Sequence, residues 1–389
     1  MKIDRASLTT VRKYLDQRMY SLVDFRLSVN LEVSSTGFPT IQSLRSAVRQ
    51  LDPAYQVLFR LFRIGEAVDE ESIRRTLPTD VFGTLVDLEL LIRGDTGEWR
   101  TPSLLIVPAE GLYLLVGIPP NYSTVTRPCH TGFDMSSYIV AKSLPTSLSG
   151  RRVLDICSGS GIQGLLCARR GADFVVGLEL NEEAVVTAHA NAVLNDLDQQ
   201  VDFRQSDKLA ALEESERFDF VVCNTPSAPM IDQISVPSSA GEVGNAVLFD
   251  LLERLPGYLQ PDASGVLTAW RSFGFQARTY QVQTIAAQLA NHGFSTSAFV
   301  DQAPNKIESI MRSMQTELER RPGMQRIDAL EIMKRLREQL LRPEKAIDGV
   351  YNQVIFIKRE QKQASSDPTI FPLFAMGQSP VAKPANATR

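Results

Sequence analysis

The chain has 389 residues, too many for one average core and enough for two domains with tails. Hydrophobic residues make up 43% and charged residues 22%, the balance of a soluble globular protein, and no apolar run reaches membrane-spanning length, so no membrane partner is expected. The net charge of -4 argues against an extended nucleic-acid groove, while four cysteines without a Cys-x-x-Cys pair and only three histidines argue against a zinc site.

Residues 1–120 read as a small, mainly helical domain of winged-helix order. An amphipathic segment runs from Ser7 to Leu22, and Val57, Leu58, Leu61, Phe62 and Ile64 follow helical spacing from Pro53. Asp69 starts a further helix with Ile73 and Leu77 inward, and Thr79 caps another with Phe82, Leu85, Leu88 and Leu91 on one face. Two extended runs follow, Leu104 to Val107 and Gly111 to Val116, joined at Ala109-Glu110. A winged helix that binds DNA needs cations on its third helix, whereas this one carries Asp80, Asp87 and Glu89. A packing or substrate-positioning module is therefore the expectation.

From Ser149 the pattern alternates strand and helix, which predicts a mostly parallel sheet covered on both faces. Strands are expected at Arg152–Ile156, Phe174–Glu179, Val201–Gln205, Phe218–Cys223 and Gly265–Ser272, with helices at Ile162–Arg170, Glu182–Leu194, Asn245–Tyr258 and Gln276–His292. Phe294–Val300 and Val350–Lys358 are the last two strands. Between them lies a helical insertion, 303–347, whose two apolar faces (Ile307, Ile310, Met311, Met314, Leu318; then Ile327, Leu330, Met333, Leu336, Leu340) fit a pocket lid or a homodimer contact. The second domain thus spans 121–360, and the Gln-, Ser-, Pro- and Ala-rich stretch 361–389 is expected to be a disordered tail.

The stretch "VLDICSGSGIQG" ends a strand at Asp155 and opens a helix through Gly159, Gly161 and Gly164. Glycines let the backbone approach a ligand, and the helix N-terminus behind them offers free N–H groups. Glu179 follows about twenty residues on, the spacing of a carboxylate that accepts from ribose hydroxyls. An acid at 155 would repel a pyrophosphate but can attract an ammonium group. Asp207, in "FRQSDKL", can receive the exocyclic amine of adenine, and Asn181 is expected to cap the helix after Glu179.

In order, "DICSGSGIQG", "GLELNEEAV", "QSDKL" and "FDFVVCNTPS" resemble four successive motifs of the class I S-adenosylmethionine-dependent methyltransferases. The likeness is to their small-domain branch, which includes ribosomal guanine-modifying and release-factor glutamine-modifying enzymes. The resemblance covers about Thr126 to Ser272 and implies a Rossmann-like, seven-stranded α/β sheet, with S-adenosylmethionine as cofactor. It assigns Asp155, Ser158, Gly159 and Gly161 to the methionine part, Glu179 with Leu180 to the ribose, and Asp207 to the adenine. "TGFDMSSYIVAKSL" is similar to the family's upstream motif, which adds Thr131 and Phe133 to the cofactor set.

The loop Asn224-Thr225-Pro226-Ser227 resembles the family's Asn-Pro-Pro-aromatic catalytic loop with two positions changed. There the asparagine side chain and the next carbonyl accept from a target NH2, and the aromatic stacks on it. Asn224 and the Thr225 carbonyl keep the acceptors, Asn224 also lies at the cofactor's edge, and Pro226 holds Thr225 extended. Ser227 replaces the stacking ring, so Ser227 and Thr225 instead offer hydroxyls to a polar, non-planar group. Arg127, His130 and Tyr138 are weaker candidates upstream. The expectation is a cytoplasmic N- or O-methyltransferase acting on a small molecule, with nucleic acid not expected as a partner. Alternatives are a protein or RNA N-methyltransferase, transfer or cyclisation of the aminocarboxypropyl arm, and a regulatory protein that senses the cofactor.

Overall fold

The computed structural model describes residues 2–29, 31, 40–118, 132–133, 135–226, 246–270, 285–301, 305–306, 312, 315, 325–340, 349–350, 352–360 and 369–373. The N-terminal part comprises α1 (Arg5–Gln17), α2 (Tyr20–Ser28), α3 (Ile41–Val48), α4 (Pro53–Phe59), α5 (Glu70–Thr76) and α6 (Thr79–Asp87). The expected single segment Ser7–Leu22 is broken at Met19, whose φ of 49° is left-handed and redirects the chain into α2. Asp69 caps α5 by accepting from the Ser72 N–H, as its position suggested; at α6 the cap position is Pro78, and Thr79 is already helical. Val81 and Leu85 of α6 are buried, and its exposed positions include Thr79, Asp80 and Asp87.

Two short ladders complete this part: β1 (Ile92–Arg93) with β2 (Trp99–Arg100), and β3 (Leu104–Ala109) with β4 (Leu112–Gly117). The β3–β4 turn is Glu110-Gly111, both with positive φ (50° and 79°), the conformation a tight two-residue hairpin requires. It lies one residue later than the expected junction.

The second part opens with α7 (Met135–Ser143). Then come β5 (Arg152–Ile156), α8 (Ile162–Arg169), β6 (Phe174–Glu179), α9 (Glu182–Leu194), β7 (Val201–Gln205), β8 (Phe218–Cys223), α10 (Ala246–Arg254) and β9 (Leu259–Trp270). A helix over 285–291, α11, leads to β10 (Phe294–Asp301). The remaining elements are β11 (Asn305–Lys306), α12 (Arg326–Leu340), β12 (Gly349–Val350), β13 (Asn352–Arg359) and β14 (Thr369–Leu373).

The main sheet has the order β14-β10-β13-β9-β8-β5-β6-β7. Strands β9, β8, β5, β6 and β7 run parallel, and β13 is antiparallel to both β9 and β10. Seven of these strands give the expected Rossmann-like α/β sheet. The eighth is a correction: Thr369–Leu373, expected within a disordered tail, pairs parallel to β10. Its Thr-Ile-Phe core has strand propensity that the surrounding polar composition masks.

Successive residues of a strand face opposite sides, so a strand buried on both faces reads as a continuous apolar run. Val153, Val175 and Val222 enter one core with α1 to α9, while Leu154, Val176 and Val221 enter the other with α10 and α11. The first core is continuous with the N-terminal part, which docks on α9.

The insertion is closed at its base by Asn305 opposite Val350 and Lys306 opposite Gly349. In α12, Ala329 and Met333 are buried, whereas Ile327 is 75% and Leu330 46% exposed. The expected Ile327–Leu330–Met333 face is thus divided, since the i, i+4 pair Ala329–Met333 turns inward instead. The first expected face, Ile307 to Leu318, lies outside the described residues.

Candidate active site

In an open α/β sheet, ligands bind beyond the carboxyl ends of the strands where the strand order reverses. Here the reversal falls between β5 and β8, so the loops after Ile156 and Cys223 lie side by side. Both motif loops singled out in the sequence issue from this point.

The glycine loop is held by a set of backbone bonds. Ser158 N–H donates to the Leu178 carbonyl (3.0 Å) and Gly161 N–H to Ser158 (2.8 Å), with Cys157, Gly159 and Gly161 all at positive φ. Asp155 is 1% exposed, and its Oδ2 accepts from Gly164 N–H at 2.8 Å, which ties the strand end to the first turn of α8. Burial is the main cause that raises its pKa to about 8; the Gly164 N–H opposes this and the Glu179 charge adds to it. The Glu179 carboxylate accepts from Gly159 N–H (2.9 Å) through Oε2 and from Asn181 N–H (3.0 Å) through Oε1. Asn181 in turn caps α9 by accepting from Ala184 N–H.

Gly159 has open space where a Cβ would stand, whereas a Cβ at Gly161 would meet the Phe203 ring at 2.6 Å. Gly161 therefore makes room for a core ring, and Gly159 is the loop's open position. The hydroxyls of Ser158 and Ser160 are buried with no hydrogen-bond partner among the described residues. Two orphaned hydroxyls beside an uncovered glycine fit a polar ligand on this loop, since buried polar groups otherwise find partners. Leu180, next to Glu179, is 66% exposed. Asp207 sits past β7, exposed, its Oδ1 3.7 Å from Lys208 Nζ. Ser206 N–H donates to the Glu179 carbonyl, which sets the ends of β6 and β7 together.

At the second loop, Asn224 Nδ2 donates to Ser136 Oγ (3.0 Å) and Ser137 Oγ (3.3 Å) at the start of α7. Thr268 Oγ1, on β9, donates to Asn224 Oδ1 (3.2 Å) and accepts from Thr225 N–H (2.9 Å). The Thr225 hydroxyl was expected to face a substrate. It is buried instead and donates to Cys223 Sγ at 3.4 Å, because Thr225 packs inward at the strand end. Pro226 is half-buried, and Phe133 packs partly buried against the first core. Thr131, Ser227, Arg127 and His130 lie outside the described residues. Tyr138 stands on α7 with Lys142 Nζ 5.3 Å from its ring centroid.

Sequence reasoning missed Thr268, Ser136 and Ser137. The two serines were visible as adjacent hydroxyls at a helix start, but their partner is 87 and 88 residues away. Asn191, on α9, is fully buried and joins Ser160 of the glycine loop to β4.

Residues 125–234 match the methyltransferase small domain, which bears out the resemblance read from the motifs. A candidate protein N5-glutamine methyltransferase of Methanocaldococcus jannaschii is 29% identical over 32% of this chain and 64% of its own length. A ribosomal protein L11 methyltransferase of Neisseria meningitidis is 34% identical over 34% of this chain and 41% of its own length. A 23S rRNA (uracil(747)-C(5))-methyltransferase of Pyrococcus abyssi is 31% identical over 32% of this chain and 37% of its own length. The chain thus spans between about a fifth and just under two thirds of the length of the relatives it matches. These relatives correct the expectation of a small-molecule partner without nucleic acid, because their names specify protein and ribosomal RNA substrates. No described helix is long and apolar enough to cross a membrane.

Proposed function

We propose that the chain is an S-adenosylmethionine-dependent methyltransferase that modifies a nitrogen of a protein substrate. The observation that carries this reading is the Asn224 carboxamide, held at the switch point beside the glycine loop by partners on α7 and β9. Bound S-adenosylmethionine supplies a methyl group on sulfonium, which is already an activated electrophile.

The residues of the chain then have to bind and orient. Ser158, Ser160 and the Gly159 backbone hold the amino-acid end, with Asp155 beneath them. Glu179 takes the ribose hydroxyls, Leu180 lies against the sugar and base, and Asp207 receives the adenine amine. Asn224 Oδ1 and the Thr225 carbonyl accept from the target N–H groups and so direct the nitrogen lone pair towards the methyl. Catalysis of this kind is largely orientation.

Ser227 stands at the loop position where related loops place an aromatic residue, so this position offers no stacking ring. Orientation then rests more heavily on the Asn224 pair and on the surface that grips the rest of the substrate. A polypeptide gives such a surface more to hold, and the continuous core with the N-terminal part provides a rigid base for it. RNA is the second reading, supported by the name of the Pyrococcus relative.

The test is incubation of the full chain with methyl-labelled cofactor and cell extract, followed by separate protease and nuclease digestion. Label released by protease and recovered as an N-methylated amino acid supports the reading. Label released only by nuclease moves RNA to the front. Asn224→Ala is expected to abolish transfer while cofactor affinity stays within about twofold, as for an interaction made at the reacting centre.

A further inference from the structure

We infer that Thr268 is the positioning residue that sets which way round the Asn224 carboxamide stands. The inference rests on the transfer reading above and concerns a residue far outside the motif loop. Thr268 lies on β9, opposite Val354 of β13, and is separated from Asn224 by 44 residues.

Its hydroxyl has one hydrogen and two lone pairs. The Thr225 N–H points at Oγ1 from 2.9 Å, so the hydroxyl acts as acceptor there and its single hydrogen must go elsewhere. It goes to Asn224 Oδ1 at 3.2 Å. A flipped carboxamide would aim a second N–H at the same hydroxyl and leave the Thr268 hydrogen without an acceptor. The two bonds together therefore select one of two orientations that would otherwise be nearly isosteric. On the opposite side, the Ser136 and Ser137 hydroxyls receive Nδ2, which is consistent with the same orientation.

This arrangement has a direct consequence for the acceptor. A carbonyl oxygen has two lone pairs. With one engaged by Thr268, the second has a fixed direction and is left for the target N–H. The site then accepts hydrogen bonds from its substrate at this atom and does not donate them, which favours a target that presents a hydrogen to it, as an amide or amine N–H does.

Two substitutions test this in the full chain: Thr268→Val, which keeps the branched shape and removes the hydroxyl, and Thr268→Ser, which keeps it. The first readout needs no turnover. In asparagine-labelled protein, the Asn224 side-chain signal is identified by its loss in Asn224→Ala, and the solvent exchange of its Nδ2 protons is measured. Thr268→Val should speed exchange by about tenfold or more and Thr268→Ser should restore it, because a carboxamide free to turn over takes Nδ2 away from the Ser136 and Ser137 hydroxyls that protect it. Unchanged protection in Thr268→Val overturns the inference.

The second readout is kinetic. Thr268→Val should lower kcat by about tenfold or more with cofactor affinity within twofold, and Thr268→Ser should stay within threefold of wild type. Equal kcat in Thr268→Val overturns the positioning role while leaving the transfer reading in place. Absence of any transfer by wild type overturns that reading, and the exchange experiment still decides what Thr268 does.

Discussion

The Asn191 carboxamide pairs with both backbone groups of Leu115: Oδ1 accepts from the Leu115 N–H at 2.6 Å and Nδ2 donates to its carbonyl at 3.0 Å. One turn on, Asn195 does the same for Tyr113, at 2.9 and 2.6 Å. The match is geometric. Four residues of helix rise about 6 Å and two residues of strand about 6.6 Å, so Asn191 on α9 and Asn195 at its C-cap reach alternate residues on the free edge of β4. The second hydrogen of Asn191 Nδ2 goes to the Ser160 carbonyl at 2.9 Å. One buried side chain therefore connects the N-terminal hairpin to the glycine loop.

Asn191→Ala should leave three buried backbone groups without partners, each costing about 1–3 kcal/mol. Urea denaturation should show a loss of stability of several kcal/mol, and calorimetric titration should show weaker cofactor binding because Ser160 is released. A stability within about 1 kcal/mol of wild type, or an unchanged cofactor affinity, would contradict a connection between the hairpin and the glycine loop through Asn191.

The strands and helices from Arg152 to Cys223 were legible in the sequence almost to the residue. Parallel strands buried on both sides leave apolar runs, and Asn181 marks the start of α9 with a local cap. The start of β9 was not legible. Its first residues, "LQPDAS", fall before the strand expected from Gly265, yet Leu259 pairs with Phe218 and Ser264 with Phe220 across a bulge. Ladder bonds supplied by a neighbouring strand override composition there. The acceptor residues of the second loop could be named from the motif, but the groups that orient them could not. Thr268 and the two serines are brought to Asn224 only by the sheet order and by the packing of α7, and neither leaves a local pattern.

Gly177 illustrates a constraint of the same long-range kind. A Cβ placed there would stand 2.2 Å from Phe203 Cδ1, and Gly161 faces the same ring. Gly177→Ala should cost about 1–3 kcal/mol by overpacking, with no left-handed backbone involved. In a Phe203→Leu background the penalty should shrink by more than 1 kcal/mol, so a double-mutant cycle from urea denaturation should be clearly non-additive. Additive penalties would mean the two residues do not share this space.

Glu179 holds the glycine loop as well as its assigned ribose position, since its two oxygens accept from Gly159 and Asn181. Hydrogen bonds to a charged group are worth about 1.5–3 kcal/mol each. Glu179→Ala should therefore weaken binding of S-adenosylhomocysteine by at least about tenfold in calorimetric titration. Glu179→Gln, which keeps an acceptor oxygen, should lose less. If the alanine variant binds as wild type does, the ribose assignment is wrong.

Asp155 gives the chain a pH dependence of defined sign. Burial holds its carboxyl protonated up to about pH 8, against an ordinary value of about 4 in the unfolded chain. The folded protein thus keeps a proton that the unfolded chain has released. Its contribution to stability is complete below about pH 4, declines as pH rises, and is lost by the time pH passes about 8. The difference in melting temperature between wild type and Asp155→Asn should accordingly drift against wild type between pH 4 and 8 and level off above that. An ammonium group drawn to Asp155 would reverse the balance by favouring the carboxylate. Binding of S-adenosylhomocysteine at pH 7 should then release nearly one proton, read from titrations in buffers of different ionisation enthalpy, and the release should vanish in Asp155→Asn. Binding without proton release would show that Asp155 stays protonated beneath the loop and serves only to hold Gly164.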